Sequence, residues 1–468
     1  MGAERSPGGL AAAGRGWWPS LIDRRKRRRR RADVAVVGGG LSGLVAADRL
    51  ARSGASVVVL EARTGRVGGR LESTELLGSP ADLGGAWVGA RHSRLRALIA
   101  ELGLETFPAP DGGERVVVRA RGRASRVQRS RTARGVVAAL RRLDELCEDM
   151  PLDDPLSWPP AAALDRRGLD SWLAQASRYG HARAVVRDMF VNVIASEPES
   201  VSLLHALWYA RAGGGLGSLV ATAGGAQQDL VAGGAHAIAE RLALRLGDSV
   251  ELGTPVTAVK RGPAGVVVIA DGLTVDAASV VLAVSPELAE RIDFGADTPP
   301  PRRPPFRTGD AIKCVVAYDT AFWREDGRSG WAWGDALPFS FTHDVSPPGG
   351  EPGLLAVFFV GDRARRLREL PAGRRDAAVA DGLCTAFGPW AQHPVAFASR
   401  DWTADPWALG GYGSSVPPGA WTAAPHPAGD PAGRVVWAGT ESAVEHHGYM
   451  EGAVRAGERA AVASLQLA

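Results

Sequence analysis

The chain has 468 residues, 45% of them hydrophobic and 23% charged. That is more than one ordinary domain, with the composition of a soluble globular protein, and it sets aside a disordered or fibrous chain. The formal charge of +4 is uneven: residues 1–31 carry ten Lys or Arg against Glu4 and Asp23, giving +8, so residues 32–468 carry 4 − 8 = −4. The basic block at 24–31 therefore predicts a solvated, disordered tail. Nucleic acid or anionic lipid are its candidate partners, with Trp17 and Trp18 alongside. No apolar run approaches the roughly 18 residues of a membrane helix, and the N-terminus lacks the apolar core of a secretory signal. Cys147, Cys314 and Cys384 show no metal or redox spacing. They read as inert thiols in a reducing, cytoplasmic compartment.

Residues 33–43 read as a buried strand, a tight turn and the start of a helix. The apolar run at 34–37 suits a strand covered on both faces. Gly38, Gly40 and Gly43 follow the spacing G-x-G-x-x-G. The first allows a sharp turn, the second lets backbone approach a pyrophosphate, and the third lets helix pack closely on strand. Leu41 and Ser42 open a helix whose N–H groups and positive dipole end face the phosphates. Apolar spacing over 44–50 continues it and Gly54 ends it. A second strand, 56–60, leads into Glu61. That acid lies roughly 20 residues past the glycines, where a ribose hydroxyl needs an acceptor. Together these predict a dinucleotide site; a plain βα turn with chance glycines is the blander alternative.

Residues 62–70 alternate glycine and arginine after Ala62. Arg63 and Arg70 offer guanidinium forks, and Gly69 bare backbone, to a diphosphate. A nicotinamide site does not need this second loop; a larger, deeply held dinucleotide such as FAD does. Then come Gly85, Ala86 and Trp87, where backbone could lie flat against a ring.

Between 108 and 224, Arg/Ala/Leu segments at 136–150, 168–179 and 181–193 predict a mainly helical insertion. A helix at 235–246 and strands at 250–252, 255–260, 265–270 and 280–284 follow. From 303 to 400 β-like runs dominate, at 311–318, 330–333 and 354–360. Trp331, Trp333, Phe339, Phe341, Phe358 and Phe359 either line a pocket or fill a core. The expected fold class is α/β.

From about residue 32 to the end, the order of these stretches resembles the flavin-dependent monoamine oxidase family. Lys313 in Ala311-Ile312-Lys313-Cys314-Val315, then Phe322-Trp323-Arg324, strengthen the resemblance. So do Trp402 before Gly410-Gly411-Tyr412-Gly413, and the terminal Trp437-Ala438-Gly439-Thr440-Glu441 and Gly448-Tyr449-Met450-Glu451-Gly452-Ala453. The resemblance implies that the α/β fold divides into an FAD-binding Rossmann-like domain with a discontinuous α+β substrate domain. The first is built from 32–107, 225–302 and 401–468, the second from 108–224 and 303–400, after the tail at 1–31. It also implies that Val256 meets the adenine through its backbone, and that Trp402 and Gly439 border the cofactor. Glu441 would meet the ribityl–phosphate region. Met450 would open a helix at the flavin pyrimidine edge, where N–H groups stabilise reduced-flavin charge. Tyr412 and Tyr449 match the two tyrosines of an aromatic cage that steers a neutral amine. Lys313, costly on a core-like strand unless it has a role, would hold a water near flavin N5 and help oxygen react. Where some members carry a flavin-bonded cysteine this chain has Gly411, so FAD should be held non-covalently. His446 and His447 depart from the family's usual residues and either line the cage or form a polar turn.

The implied activity is FAD-dependent oxidation of a small-molecule amine to an imine, which hydrolyses to aldehyde or ketone, with O2 reduced to H2O2. No metal is implied, and a homodimer is compatible. One rival is an L-amino-acid oxidase, which needs an arginine for the substrate carboxylate. Another is a flavin desaturase or porphyrinogen oxidase acting on C–C bonds, against which Lys313 and the two tyrosines argue. The non-enzymatic rival is a nucleic-acid-interacting flavoprotein using the Arg tail.

Overall fold

Arg28–Val37 is an inner strand of a seven-stranded sheet in the computed structural model, which describes residues 28–120, 126–262, 265–294, 305–423 and 433–467. It pairs in parallel with Val57–Leu60 on one side and Leu273–Leu282 on the other. Val250–Glu251 and Val435–Trp437 extend the parallel part, while Val256–Gly262 and Gly265–Ala270 add antiparallel strands. Val34, Ala35 and Val36 are wholly buried, as a parallel strand covered on both faces requires. The helix Leu41–Arg52 covers one face, packed against His236–Leu246 and the terminal helix Met450–Leu465.

The predicted tail ends earlier than its charge implies. Residues 28–31, expected to be solvated, form the first rungs of this strand, with Arg28 opposite Leu273 and Arg31 opposite Asp276. Counter-charges explain the difference. Arg29 grips Asp276 through two bonds of 2.6 Å, and Glu251 takes Arg28 at 2.7 Å and Arg30 at 2.9 Å. Each exposed pair adds little stability, but together they relieve the repulsion that would keep the run extended in water. The rest of the tail, with Trp17 and Trp18, lies outside the described residues.

A second sheet has six strands in the order Ala396–Asp401, Ala311–Tyr318, Gly353–Val360, Phe341–Asp344, Arg328–Trp333 and Glu114–Val117. Ala311–Tyr318 and Gly353–Val360 are buried along their whole length. On one face Ile312, Cys314 and Val316 pack against Leu367, Leu383 and Phe387 from the covering helices. Strand alternation turns Ala311, Lys313 and Val315 to the other face. Phe339 and Phe359 belong to the helix-side core, while Phe341 and Phe358 face a cavity.

The insertion is mainly helical, led by Arg126–Leu146 and Gly180–Ile194. The helix expected over 168–179 is shorter, Leu169–Leu173. Beyond it Ser177 Oγ accepts from the Tyr179 N–H at 3.3 Å and the Ser177 carbonyl from Arg183 at 2.7 Å, local bonds that compete with further turns. The helix Leu203–Ala212 was not read from the sequence. Nearly all its residues are buried, so it lacks the polar face that marks a surface helix. Ser202 caps it: buried Oγ accepts from the His205 N–H at 3.4 Å and donates to Asp165 at 2.8 Å. Ser202→Ala should lower the unfolding free energy by about 1–2 kcal/mol, read as a lower denaturant midpoint at constant slope. Among the described residues no helix is long and apolar enough to cross a membrane, and no group of three His, Cys, Asp or Glu could hold a metal ion.

Candidate active site

A cavity runs between the two sheets. In the first lobe its lining includes Gly38, Gly40, Glu61, Val256 and Trp407; in the second, Lys313, Phe341, Phe358 and Tyr412. The glycine turn is shaped by local sterics. Gly38 has φ +103°, and a Cβ there would sit 3.0 Å from the Ala283 carbonyl oxygen. A Cβ at Gly43 would collide with the Gly38 carbonyl oxygen. Gly43 thus packs helix on strand, as its spacing predicts, and is not among the lining residues. Gly40 and Gly69 face each other so closely that a Cβ on Gly69 would come within 3.1 Å of Gly40 Cα. Gly40 is also the helix N-cap and provides no side-chain cap, which leaves the first helical N–H groups available to an anion.

Glu61 is 3% exposed. Its Oε2 accepts from the Gly39 N–H at 2.8 Å and its Oε1 from the Arg63 N–H at 2.9 Å. A carboxylate has about four acceptor positions, so lone pairs remain for ribose hydroxyls. Bare backbone, an uncapped helix start and a fixed acid on one cavity fit an elongated dinucleotide. Leu41, Ser42, Ala62, Gly85, Ala86, Trp87, Val256, Trp402, Gly439, Tyr449 and Met450 line the same cavity. Trp402 is anchored by its indole N–H, which donates to the Leu83 carbonyl at 2.8 Å.

The arginines differ from expectation. Arg63 and Arg70 line the cavity, but their guanidinium ends are largely engaged by protein. Arg63 pairs with Asp405 at 2.8 Å; Arg70 donates to Glu441 at 2.8 Å and to the Tyr412 carbonyl at 2.9 Å. Arg70 thus ties the glycine loop to the segment bearing Tyr412. Glu441 is not among the lining residues and stands behind Arg70, also accepting from Ser414 Oγ at 3.1 Å. Burial works to raise its carboxyl, yet Arg70 and His447 hold it below the ordinary range.

At the second lobe Lys313 is 3% exposed. Its Nζ donates to the Gly84 carbonyl at 2.9 Å and lies 5.1 Å from the ring centroids of both Trp87 and Phe358. Burial brings its pKa down from 10.5 to about 8, opposed by the buried Asp82 carboxylate. Tyr412 stands nearly perpendicular to Phe358, centroids 6.4 Å apart, and its hydroxyl donates to the Asn192 carbonyl. The Tyr449 ring lies 6.4 Å from that of Tyr209, whose hydroxyl donates to the Val193 carbonyl at 3.0 Å. Burial pushes both cavity phenols well above their ordinary values, so both are neutral. His446 and His447 do not line the cavity. His446 lies edge-on to His92 at 4.9 Å, and His447 stacks on Phe306 at 5.3 Å, both behind the tyrosines.

Sequence reasoning missed Asn192, Gln227 and His343, which line the cavity, and Tyr209 behind Tyr449. Tyr209 sits on the helix without a polar face. Gln227 follows the glycine pair at 224–225, and its Nε2 donates to the Leu219 carbonyl at 2.9 Å. His343 alternates with Phe341 along a strand, a period-two signal that was present to be read.

The chain matches the family model for flavin containing amine oxidoreductase over residues 41–465. It is 36% identical over 444 residues to AofH of Mycobacterium tuberculosis, a protein named as a flavin-containing monoamine oxidase, covering 92% of this chain and 95% of that one. An L-amino acid dehydrogenase of Synechocystis is 32% identical over 459 residues, covering 93% and 95%. A solved structure of wild-type putrescine oxidase bound to putrescine matches with a TM-score of 0.85 at 31% identity, covering 94% of this chain and 100% of that one. On the family model, the relatives and a cavity shaped for a dinucleotide, this chain belongs to the flavin-containing amine oxidoreductase family.

Proposed function

We propose that this protein is an FAD-dependent oxidase of monoamines with an apolar body. The observation that carries this reading is Lys313, a buried lysine aimed into the same cavity as the glycine turn and Glu61. When bound, the flavin supplies a two-electron acceptor for the amine α C–H bond and passes the electrons to O2. Overall, amine, O2 and water give carbonyl compound, ammonia and H2O2. Tyr412 and Tyr449 orient the amine between ring faces and exclude bulky groups; their quadrupoles tolerate a cation on its way in. Lys313, poised near pH 8, holds a proton and a positive charge where oxygen is reduced. The helix starting at Met450 lends N–H groups to negative charge on the cofactor. Gly411 offers no nucleophile, so heat or acid precipitation should release the flavin into the supernatant.

The lining residues distinguish the substrate classes. An amino acid needs a cationic fork, but the arginines described on the lining are Arg63, Arg70 and Arg291, held by Asp405, Glu441 and the Pro406 carbonyl. A diamine needs a second carboxylate, and Glu61 is the one carboxylate among the described lining residues. Both classes therefore lack a partner for their second charge. Free Cys147, Cys314 and Cys384 fit a reducing, cytoplasmic setting. The test is peroxide release over a panel of aromatic, aliphatic and polyamine substrates. Turnover of isoprenoids or porphyrinogens with no amine active would refute the reading. Tyr449→Ala should lower kcat/KM for the best amine about tenfold, the worth of a well-placed ring contact; an unchanged value removes Tyr449 from the cage.

A further inference from the structure

His343 lies on the strand Phe341–Asp344, on the same face as Phe341. Phe341 pairs with Phe358, and Phe358 with Lys313. The backbone of Phe341 is thus two strand spacings, about 10 Å, from that of Lys313. His343 sits two residues further along the strand, paired with Ala356, which in turn pairs with Val315, two residues beyond the lysine. Aromatic rings enclose it: Trp87 at 5.3 Å, Phe341 at 5.7 Å and Trp331 at 5.9 Å. Among the described residues neither ring nitrogen of His343 makes a hydrogen bond. The indole N–H groups of Trp87 and Trp331 are sealed from solvent and also have no acceptor. Buried polar groups are nearly always satisfied, and one left without a partner is costly. Trp331 is not on the lining and both indole N–H groups are closed off even from the empty cavity, so the polar group a ligand can meet at this end is the half-buried His343 imidazole, which lines it.

The chemistry of that group follows from the charges around it. Burial brings the His343 imidazole down to about 3, with the Arg115 and Lys313 cations acting the same way against Asp111. It is therefore neutral in the working range, with one N–H donor and one acceptor nitrogen. A second ammonium would meet the Arg115 and Lys313 charges that act on His343, while Asp111, which opposes them, is not on the lining and is paired with Arg115. A carboxylate would find the Arg115 guanidinium already engaged, over the Trp331 indole at 4.3 Å and paired with Asp111 at 3.2 Å. A hydroxyl suits the site because it both donates and accepts.

We propose that His343 is a specificity-determining residue, which selects aromatic amines that carry a hydroxyl on the ring end remote from nitrogen. This rests on the amine-oxidase reading above. The test compares kcat/KM of the purified holoenzyme for 2-(4-hydroxyphenyl)ethylamine and 2-phenylethylamine. The hydroxylated amine should be favoured about tenfold, the worth of one net hydrogen bond. In His343→Leu the ratio should fall to about one, and His343→Gln, which still accepts, should keep part of it. A ratio near one in the unaltered enzyme, or a ratio unchanged by His343→Leu, overturns the assignment. Binding gives a second readout that needs no variant: p-cresol should compete with substrate more tightly than toluene, and equal inhibition constants overturn the proposal. If neither amine is oxidised while others bleach the flavin, the assignment of His343 fails and the oxidase reading stands. If no amine bleaches the flavin, the oxidase reading itself fails.

Discussion

Lys313→Met should slow the reaction of the reduced enzyme with oxygen by about 100-fold, the scale seen when one preorganised electrostatic group is removed from a site. Methionine keeps the length and most of the volume of the lysine, so the buried strand Ala311–Tyr318 has no cavity to collapse into. What is lost is a cation and a donor. The Gly84 carbonyl loses its 2.9 Å bond, and the buried Asp82 loses a neighbouring positive charge. The proposed role ties the effect to protonation. Burial puts the lysine pKa at about 8, so the group is charged below that pH and neutral above it. The oxygen rate constant of the unaltered enzyme should fall as pH rises through about 8, and that of Lys313→Met should be flat. Stopped-flow mixing of anaerobically reduced enzyme with oxygenated buffer separates this step from flavin reduction. Reoxidation of Lys313→Met at the unaltered rate would sink the role. The same burial has a sign in stability. Because the folded pKa lies below the unfolded one, the unfolded chain binds more protons between about pH 8 and 10.5, and folding should become more favourable across that window.

What could be read from the sequence was what neighbouring residues decide among themselves. Within the turn, Gly43 is fixed by a local collision with the Gly38 carbonyl, so its spacing was enough, although Gly38 and Gly40 also answer to Ala283 and Gly69 from other segments. The strand under Lys313 was visible because eight consecutive buried positions leave an unbroken apolar run around one lysine. Tyr412 and Tyr449 came from resemblance, since nothing local marks two tyrosines in separate segments as partners. The misreadings have their causes far along the chain. Residues 28–31 looked like a solvated tail because Glu251 and Asp276, which neutralise them, lie on other strands. Arg63 and Arg70 looked available to a diphosphate because Asp405 and Glu441 arrive from the last third of the chain. The helix Leu203–Ala212 was silent because burial on all sides removes periodicity. His343 belongs to neither group: its alternation with Phe341 was legible, but its meaning needed the rings of Trp87 and Trp331, which only the fold assembles.

Glu61→Gln should weaken FAD binding by about 100-fold, since hydrogen bonds to a charged acceptor are worth roughly 1.5–3 kcal/mol and more than one is at stake. The acid already spends one oxygen on the Gly39 N–H and the other on the Arg63 N–H. Those bonds leave the carboxylate little freedom, and they aim its remaining lone pairs into the cavity. Glutamine keeps the shape but replaces one oxygen by a donor, which must face either a backbone N–H or the ribose. It also removes a negative charge from beside the Arg63 guanidinium, 3.5 Å away. Loss of cofactor can be told from loss of fold. The apoprotein of Glu61→Gln should unfold within a few degrees of the unaltered apoprotein, while titration with FAD, followed by quenching of flavin fluorescence, should show the looser dissociation constant. Glu61→Asp keeps the charge but falls a methylene short, so it should bind FAD about as poorly if reach matters and nearly normally if charge alone does. A dissociation constant for Glu61→Gln within twofold of the unaltered value would mean that the ribose is held elsewhere. The glycine turn, with its open helix start, would then carry the cofactor without the acid.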